Sequence, residues 1–291
     1  MNLYKNIVSF ILSVILIVSL IFSVFFIFYN KTLMNENFYI SIINDNNMAQ
    51  NCYDEIQSNL KYQLTLNNVK PGYVGEVITV DQVSEELKTN ITNVIEYFTG
   101  KRDDIPNVDT SKYMGQVKSG LEKYVKDNNS QITGETTNAI ANIEQNDSNI
   151  INNQIQIFNF NQLFTFNSVL NMRNIMVKLN NNGFMLILFG IDLIIAIILA
   201  LLWRKTILKG LSWIGFSSLT AGLLMTAVFL SGFISKFYNN IALDDGYVKE
   251  FIAAVIQKDL QILSSYGIVL IAIGLILMSF NWIHLYKISE K

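Results

Sequence analysis

Four apolar stretches are long enough to cross a lipid bilayer. They cover residues 7–29, 184–203, 213–234 and 262–282. A helix of about 20 apolar residues spans the hydrocarbon of a membrane. No small-residue cleavage site follows the first stretch, so we expect it to remain as an uncleaved signal-anchor. The sequence predicts a bundle of four transmembrane helices.

The segment 30–182 carries apolar residues at helical rather than strand spacing. One helix is predicted over 34–66, where Phe38, Ile42, Met48, Cys52, Ile56 and Leu60 share a face. Pro71 and Gly72 are expected to end this part of the chain. No alternating run is long enough to indicate a sheet.

Further helices are predicted along the same segment. Asp81 is expected to cap a second helix that ends at Gly100, and Asp109 to cap a third. The polar, Asn-rich residues 127–153 indicate a linker or a solvated helical stalk. Residues 155–179 are expected to run into the second span as one long helix.

The shorter loop 235–261 is expected to contain an amphipathic helix. Asp244 and Asp245 would cap it, and Val248, Phe251 and Val255 would form its apolar face. This helix either docks on the large domain or extends the fourth span.

Basic residues flank the spans on one side of the membrane, at Lys5, Arg204, Lys205, Lys209, Lys287 and Lys291. Lysine and arginine concentrate on the cytoplasmic side of membrane proteins. Both termini are therefore expected in the cytoplasm and residues 30–182 outside the cell. The predicted fold class is all-α, with a signal-anchor helix over 1–29, an extracellular helical domain over 30–182, and three more spans over 183–291.

Composition agrees with a membrane protein. The chain is 51% hydrophobic and 15% charged, against roughly 25% charged residues in soluble domains. We therefore expect the chain to contact the lipid bilayer. A net charge of −2 gives no basis for binding nucleic acid.

Three short motifs follow one another in the first half of the chain. They are the runs 51–56 (NCYDEI), 77–83 (VITVDQV) and 108–110 (VDT). The chain resembles a group of uncharacterised four-span membrane proteins of low-GC Gram-positive bacteria. The resemblance covers the first span and about a hundred residues after it. It implies the topology and the source, and it transfers no catalytic residue.

Asp192 is the single charged residue inside a predicted span. It lies about 12 Å below the outer end of its helix, at a rise of about 1.5 Å per residue. A carboxylate there costs on the order of 3 kcal/mol on insertion scales, which makes a functional role the default hypothesis. A protonated carboxyl that is hydrogen-bonded within the bundle is the alternative. Since no other span contains Lys or Arg, the partner is expected to be a hydroxyl, a wet cavity or another subunit.

Small residues recur on three of the spans, and small residues let membrane helices approach closely. Ser9, Ser13, Ser19 and Ser23 share an arc of the first span, Gly215, Ser218 and Gly222 share a face of the third, and Gly267 and Gly274 lie seven residues apart on the fourth. Helix packing is the favoured interpretation, and a conduction path lined by hydroxyls is the alternative.

Several kinds of chemistry are disfavoured. The chain's one histidine, His284, follows the fourth span on the predicted cytoplasmic side, which excludes an outer catalytic triad or a His-ligated zinc site. Cys52 is the chain's one cysteine, so an intrachain disulfide is excluded, and its apolar surroundings predict a core position rather than an intermolecular bridge. Asp103, Asp104, Asn107 and Asp109 lack the spacing of a calcium loop. No cofactor is expected, and we predict that the chain is not an enzyme.

Three functions remain open. The first is a receptor or scaffold whose outer domain binds a protein, a peptide or an envelope component. A protein partner or a second copy of the chain is expected to bind through the membrane bundle or the extracellular domain. The second is an ABC-transporter permease subunit, although the cytoplasmic segments are short for contacts with an ATPase. The third is a proton- or ion-coupled transporter or channel that uses Asp192.

Overall fold

Every element in the described part of the chain is helical. The computed structural model describes residues 2–128, 132–156, 167–180, 182–240 and 246–289. The α-helices are α1 (Asn2–Phe28), α2 (Glu36–Asp45), α3 (Met48–Leu66), α4 (Val80–Thr99), α5 (Ser111–Asp127), α6 (Gly134–Ile155), α7 (Asn167–Leu179), α8 (Asn182–Leu202), α9 (Ile207–Ser235) and α10 (Gly246–Ser289). The prediction of an all-helical chain is confirmed for these residues.

The chain forms two compact units. The bundle unit comprises Met1–Asn35, Lys178–Ala242 and Ile252–Lys291, and the polar unit comprises Glu36–Val177 and Leu243–Phe251. For comparison, the sequence placed the corresponding domain at 30–182. The additional stretch from the second loop is anchored inside the polar unit, where Tyr247 and Phe251 are buried and Glu55 accepts a hydrogen bond from the Tyr247 amide at 3.1 Å.

The bundle unit contains the membrane-spanning helices. Four helices are long and apolar enough to cross a membrane: Leu3–Leu33, Gly183–Leu202, Arg204–Ser235 and Gly246–Ile283. The prediction of four spans is confirmed by length and composition, with the fourth longer than expected. By these criteria the chain is a multi-pass membrane protein.

The core of the polar unit forms from the apolar faces of its helices. α3 packs against α4 and α6, and α5 packs against α6. Residues four apart along α3 are fully buried, among them Cys52, Ile56 and Leu60. The α4 positions Val83, Leu87 and Ile91 are buried in the same way, because residues three and four apart lie on one side of a helix.

Two predictions about helices differ from the structure: one predicted helix is divided in two, and another has a different cap. The helix predicted over 34–66 is two helices, because Asn47 adopts a left-handed conformation with φ of 53° between α2 and α3. Asparagine tolerates this conformation better than most residues. α4 is capped by Thr79 rather than Asp81: Thr79 and Gln82 exchange side chain–backbone hydrogen bonds in a capping box.

One other predicted helix end is confirmed, at Gly100, and the predicted cap at Asp109 is off by one residue. Gly100 ends α4 with φ of 78°, the left-handed conformation that glycine adopts without steric cost. Asp109 lies two residues before α5, and its Oδ1 accepts hydrogen bonds from the amide and hydroxyl of Ser111 at 3.1 and 2.6 Å. It thereby satisfies a free amide at the helix start, although Thr110 occupies the N-cap position itself.

The region predicted as a linker or stalk is instead part of the core. α6 buries Ile140, Ile143, Ile151 and Ile155 against α3 and α5. Asp147 takes the central position of this apolar face, and it interrupts the pattern that would have identified the helix.

The long helix predicted over 155–179 and into the second span is not continuous. α7 ends at Leu179 and α8 begins at Asn182, with a turn at Asn180. Arg173 attaches α7 to the end of α4: its guanidinium donates to the carbonyl oxygens of Tyr97 and Arg102 at 3.1 and 2.9 Å. Residues 157–166 and 181 lie outside the described part of the chain.

The helix predicted in the loop 235–261 is the first part of α10, which continues into the fourth span. Asp244 and Asp245 lie outside the described residues. His284 belongs to α10, but its side chain is not among those described.

Candidate functional site

Asp192 and Ser23 are brought together in the bundle unit. The Ser23 hydroxyl donates a hydrogen bond of 2.6 Å to Asp192 Oδ2. The second carboxylate oxygen, Oδ1, is buried without a hydrogen-bond partner among the described residues. Of the partners considered from the sequence, a hydroxyl is the one that the structure supplies, and it comes from the serine face of α1.

The carboxyl group faces a cleft of about 290 Å³, which we call the Asp192 cleft. Its other walls are almost entirely apolar, including Leu20, Val24, Ile27, Phe189, Val269 and Leu270. No ion pair in the described residues includes Asp192. An oxygen with a free lone pair in such a cleft is able to accept a proton or coordinate a small cation.

Two more serines of α1, Ser9 and Ser13, form hydrogen bonds to other helices. The buried ring of Trp203 donates from Nε1 to Ser9 Oγ at 2.8 Å, and Ser217 donates to the Ser13 carbonyl oxygen at 3.3 Å. Ser19 Oγ is buried without a partner among the described residues. Trp203, which has the position of an interfacial aromatic residue in the sequence, is thus part of the bundle interior.

The glycines of α9 and α10 face each other in pairs. A Cβ atom added to Gly215 would lie 2.8 Å from the carbonyl oxygen of Gly274, and one added to Gly222 would lie 2.5 Å from that of Gly267. Between these pairs, Ser218 donates to the Leu270 carbonyl oxygen at 2.8 Å. The two helices therefore run antiparallel with their backbones in direct contact.

Polar residues of the polar unit form a second cleft, of about 350 Å³, which the sequence did not indicate. We call it the polar cleft; its walls are Glu85, Glu86, Thr89, Asn90, Asn93, Pro106, Asn107, Val108, Asp109 and Lys112. Asn90 is 5% exposed and lies in the wall of this cleft. Its side-chain amide can both donate and accept hydrogen bonds.

The charged side chains of the polar cleft interact with neighbouring residues. Lys112 forms an ion pair with Glu86, which also accepts a hydrogen bond from the Tyr113 hydroxyl at 3.1 Å. The bond to Glu86 raises the pKa of Lys112. The two bonds from Ser111 lower the pKa of Asp109. The cleft thus presents side-chain carboxyl groups together with uncharged amides.

Polar residues before α5, among them Asp103 and Asn107, form structural contacts with other described residues. Asp103 pairs with Arg173 at 2.9 Å, and Asn107 accepts a hydrogen bond from Gln156 at 3.1 Å. No group of three metal-ligating side chains occurs in the described part of the chain. Cys52 is fully buried, and burial raises the pKa of its thiol to about 12, which agrees with the predicted core position.

Comparison of the chain with protein-family models, curated proteins and solved structures gives no match. The resemblance of the three short motifs therefore assigns no family. Function has to be argued from the two clefts and from the membrane spans.

Proposed function

We propose that the chain is a non-enzymatic membrane receptor or scaffold whose polar unit lies outside the cell. In this proposal the polar cleft binds a protein, a peptide or an envelope component. The observation that carries it is the polar cleft itself, about 350 Å³ in volume, whose lining combines carboxylates with the side-chain amides of Asn90, Asn93 and Asn107. Such groups can donate and accept hydrogen bonds to a bound ligand.

The cleft also limits the chemistry of its ligand. Carboxylates of Glu85 and Asp109 line it, while the Lys112 ammonium is already engaged by Glu86. Excess acceptors favour a ligand that presents hydrogen-bond donors, such as amines or hydroxyls. The Asn90 amide both donates and accepts, so it favours a ligand with amide or hydroxyl groups.

The proposed outer location is supported by the distribution of charge. Lys5, Arg204, Lys205 and Lys209 lie at one set of span ends, and Lys31, Lys178 and Lys236 lie at the other. The positive-inside rule favours the more basic set for the cytoplasm, and the polar unit would then meet ligands outside the cell.

Site-specific photo-cross-linking in intact cells tests this function. A photoreactive residue at Thr89, an exposed wall of the polar cleft, is expected to give a discrete adduct. The same residue at Lys123, which is exposed outside the cleft, is the control. Asn90→Leu should abolish the Thr89 adduct without lowering the amount of protein. Equal adducts at both positions, or an adduct that survives Asn90→Leu, would reject the polar cleft as the binding site.

A second function is favoured by the Asp192 cleft. The free Oδ1 and the Ser23 hydroxyl form a polar pair inside an apolar span, which fits a proton- or ion-coupled step. Ion flux into liposomes that contain the purified protein should then exceed that of empty liposomes. Asp192→Asn should abolish the flux and Ser23→Ala should reduce it, whereas Ser19→Ala, which removes a hydroxyl without a partner, should not. Flux equal to that of empty liposomes would remove this candidate.

A further inference from the structure

In the part of the chain that the structure describes, one end of the bundle unit has basic side chains and no acidic side chain. Lys5 donates to the Leu202 carbonyl oxygen at 3.0 Å, and Lys209 lies 4.2 Å from the centre of the Trp203 ring. Arg204 and Lys205 follow directly in the turn between α8 and α9. All ion pairs found among the described residues lie in the polar unit. This end of the bundle therefore carries a net positive field.

A cleft of about 420 Å³ opens beside this positive end. It is lined by Phe10 of α1, by Lys209, Ser212, Trp213 and Phe216 of α9, and by Met278 and Asn281 of α10. Unlike the Asp192 cleft, it contains a basic side chain. We call it the Lys209 cleft.

The polar groups of the Lys209 cleft are free to bind. Within the described residues, the Lys209 ammonium has the Trp203 ring but no acceptor oxygen, and the Trp213 Nε1–H and the Asn281 amide have no hydrogen-bond partner. Ser212 donates to the Leu208 carbonyl oxygen at 3.2 Å, so its oxygen still accepts. Three residues with donor groups, Lys209, Trp213 and Asn281, thus line one cleft whose surface is mainly apolar.

Polarity changes along the length of the Lys209 cleft. Phe216 lies two turns further along α9 than Lys209, about 10 Å deeper at 1.5 Å per residue. Met278 lies deeper than Asn281, because α10 runs antiparallel to α9. Donors therefore line the end nearest the basic turn, and apolar side chains line the part within the span. A ligand that matches both ends has an anionic head and an apolar chain.

We propose that the Lys209 cleft binds an anionic phospholipid. Its phosphate would lie against Lys209, Trp213 and Asn281, and its acyl chain would lie along Phe216 and Met278. Basic pockets between membrane helices select anionic lipids. A zwitterionic lipid has a weaker electrostatic interaction with Lys209, because its own ammonium already balances the phosphate charge. A free phosphate leaves the apolar part of the cleft empty.

Native mass spectrometry of the full-length protein in detergent tests the proposal. The protein is given equal amounts of phosphatidylglycerol and phosphatidylcholine with identical acyl chains. We expect preferential retention of phosphatidylglycerol. Lys209→Gln should lower that preference about five-fold, the equivalent of about 1 kcal/mol per basic side chain at an anionic surface. Lys205→Gln removes the same charge outside the cleft and should lower the preference clearly less than Lys209→Gln does.

A second variant and a competing ligand complete the test. Trp213→Phe retains the ring but removes the donor, so it should also lower the preference, and it replaces Lys209→Gln if that variant does not fold. Glycerol phosphate, the head without chains, should not displace the lipid. Equal retention of both lipids, equal effects of Lys209→Gln and Lys205→Gln, or displacement by glycerol phosphate would each overturn the proposal.

Discussion

Asp147 gives the polar unit a pH-dependent stability that can be worked out from the structure. Its side chain is fully buried on the apolar face of α6, and neither carboxylate oxygen has a hydrogen-bond partner among the described residues. Burial raises the pKa of this carboxyl from 3.8 to about 7. A change of one in pKa corresponds to about 1.4 kcal/mol, so ionised Asp147 costs the folded polar unit about 4 kcal/mol.

The direction of the effect follows from linkage. The folded state binds the proton more tightly than the unfolded state, so protonation favours folding. Below about pH 4 the carboxyl is protonated in both states, and the cost is absent. As pH rises from about 4 to about 7 stability decreases, and above this range the cost is constant.

Asp147→Leu removes the carboxyl and extends the apolar face formed with Ile143 and Ile151. The variant should be more stable than the wild type at pH 8, and its advantage there should exceed that at pH 5 by roughly 2.5 kcal/mol. Amide hydrogen exchange of α6 in the full-length protein reports this opening free energy. Asp104→Asn, a change at an exposed carboxylate, is the control and should show no such difference. An advantage that is equal at both pH values would mean that Asp147 is hydrated or paired, and would refute the reasoning.

Two further predictions concern packing. Gly222→Ala should destabilise the bundle unit in detergent by about 2 kcal/mol, because its Cβ would lie 2.5 Å from the Gly267 carbonyl oxygen; thermal unfolding measures this. Gly190→Ala is its control, since nothing lies within 4 Å of the added atom, and an equal loss from both would contradict the close contact of α9 and α10. Arg173→Ala should lower the free energy of opening of α7 by roughly 2–3 kcal/mol, because it removes the bonds to α4 and the ion pair with Asp103. Hydrogen exchange in α7 should therefore be faster. Unchanged exchange in α7 would show that apolar contacts alone hold this helix.

The spans were predictable from the sequence because their signal is local. Length and hydropathy are properties of one continuous stretch, and no contact with another element is needed to recognise them. The small residues Gly215, Gly222, Gly267 and Gly274 were found for the same reason. Their pairing, however, depends on how α9 and α10 align, which periodicity within one helix does not contain.

The errors have a common physical origin. α6 was interpreted as a solvated segment because Asp147 interrupts its apolar face. The single local sign of the polar cleft was Asn90, which lies between the buried Leu87 and Val94 on α4. The cleft itself needs residues 106–109 from a later loop.

The outer location of the polar unit is the central claim, and labelling with a membrane-impermeant thiol reagent on intact cells tests it most directly. Cys52 is the chain's one cysteine, and it is fully buried, so background labelling of the otherwise unchanged protein should be low. Cysteine at Lys112, in the polar cleft, or at Asn146, on the exposed side of α6, should react in intact cells. Cysteine at Lys205 should react only after the cells are permeabilised. Labelling of the Lys205 position in intact cells, with none at Lys112 or Asn146, would contradict the account.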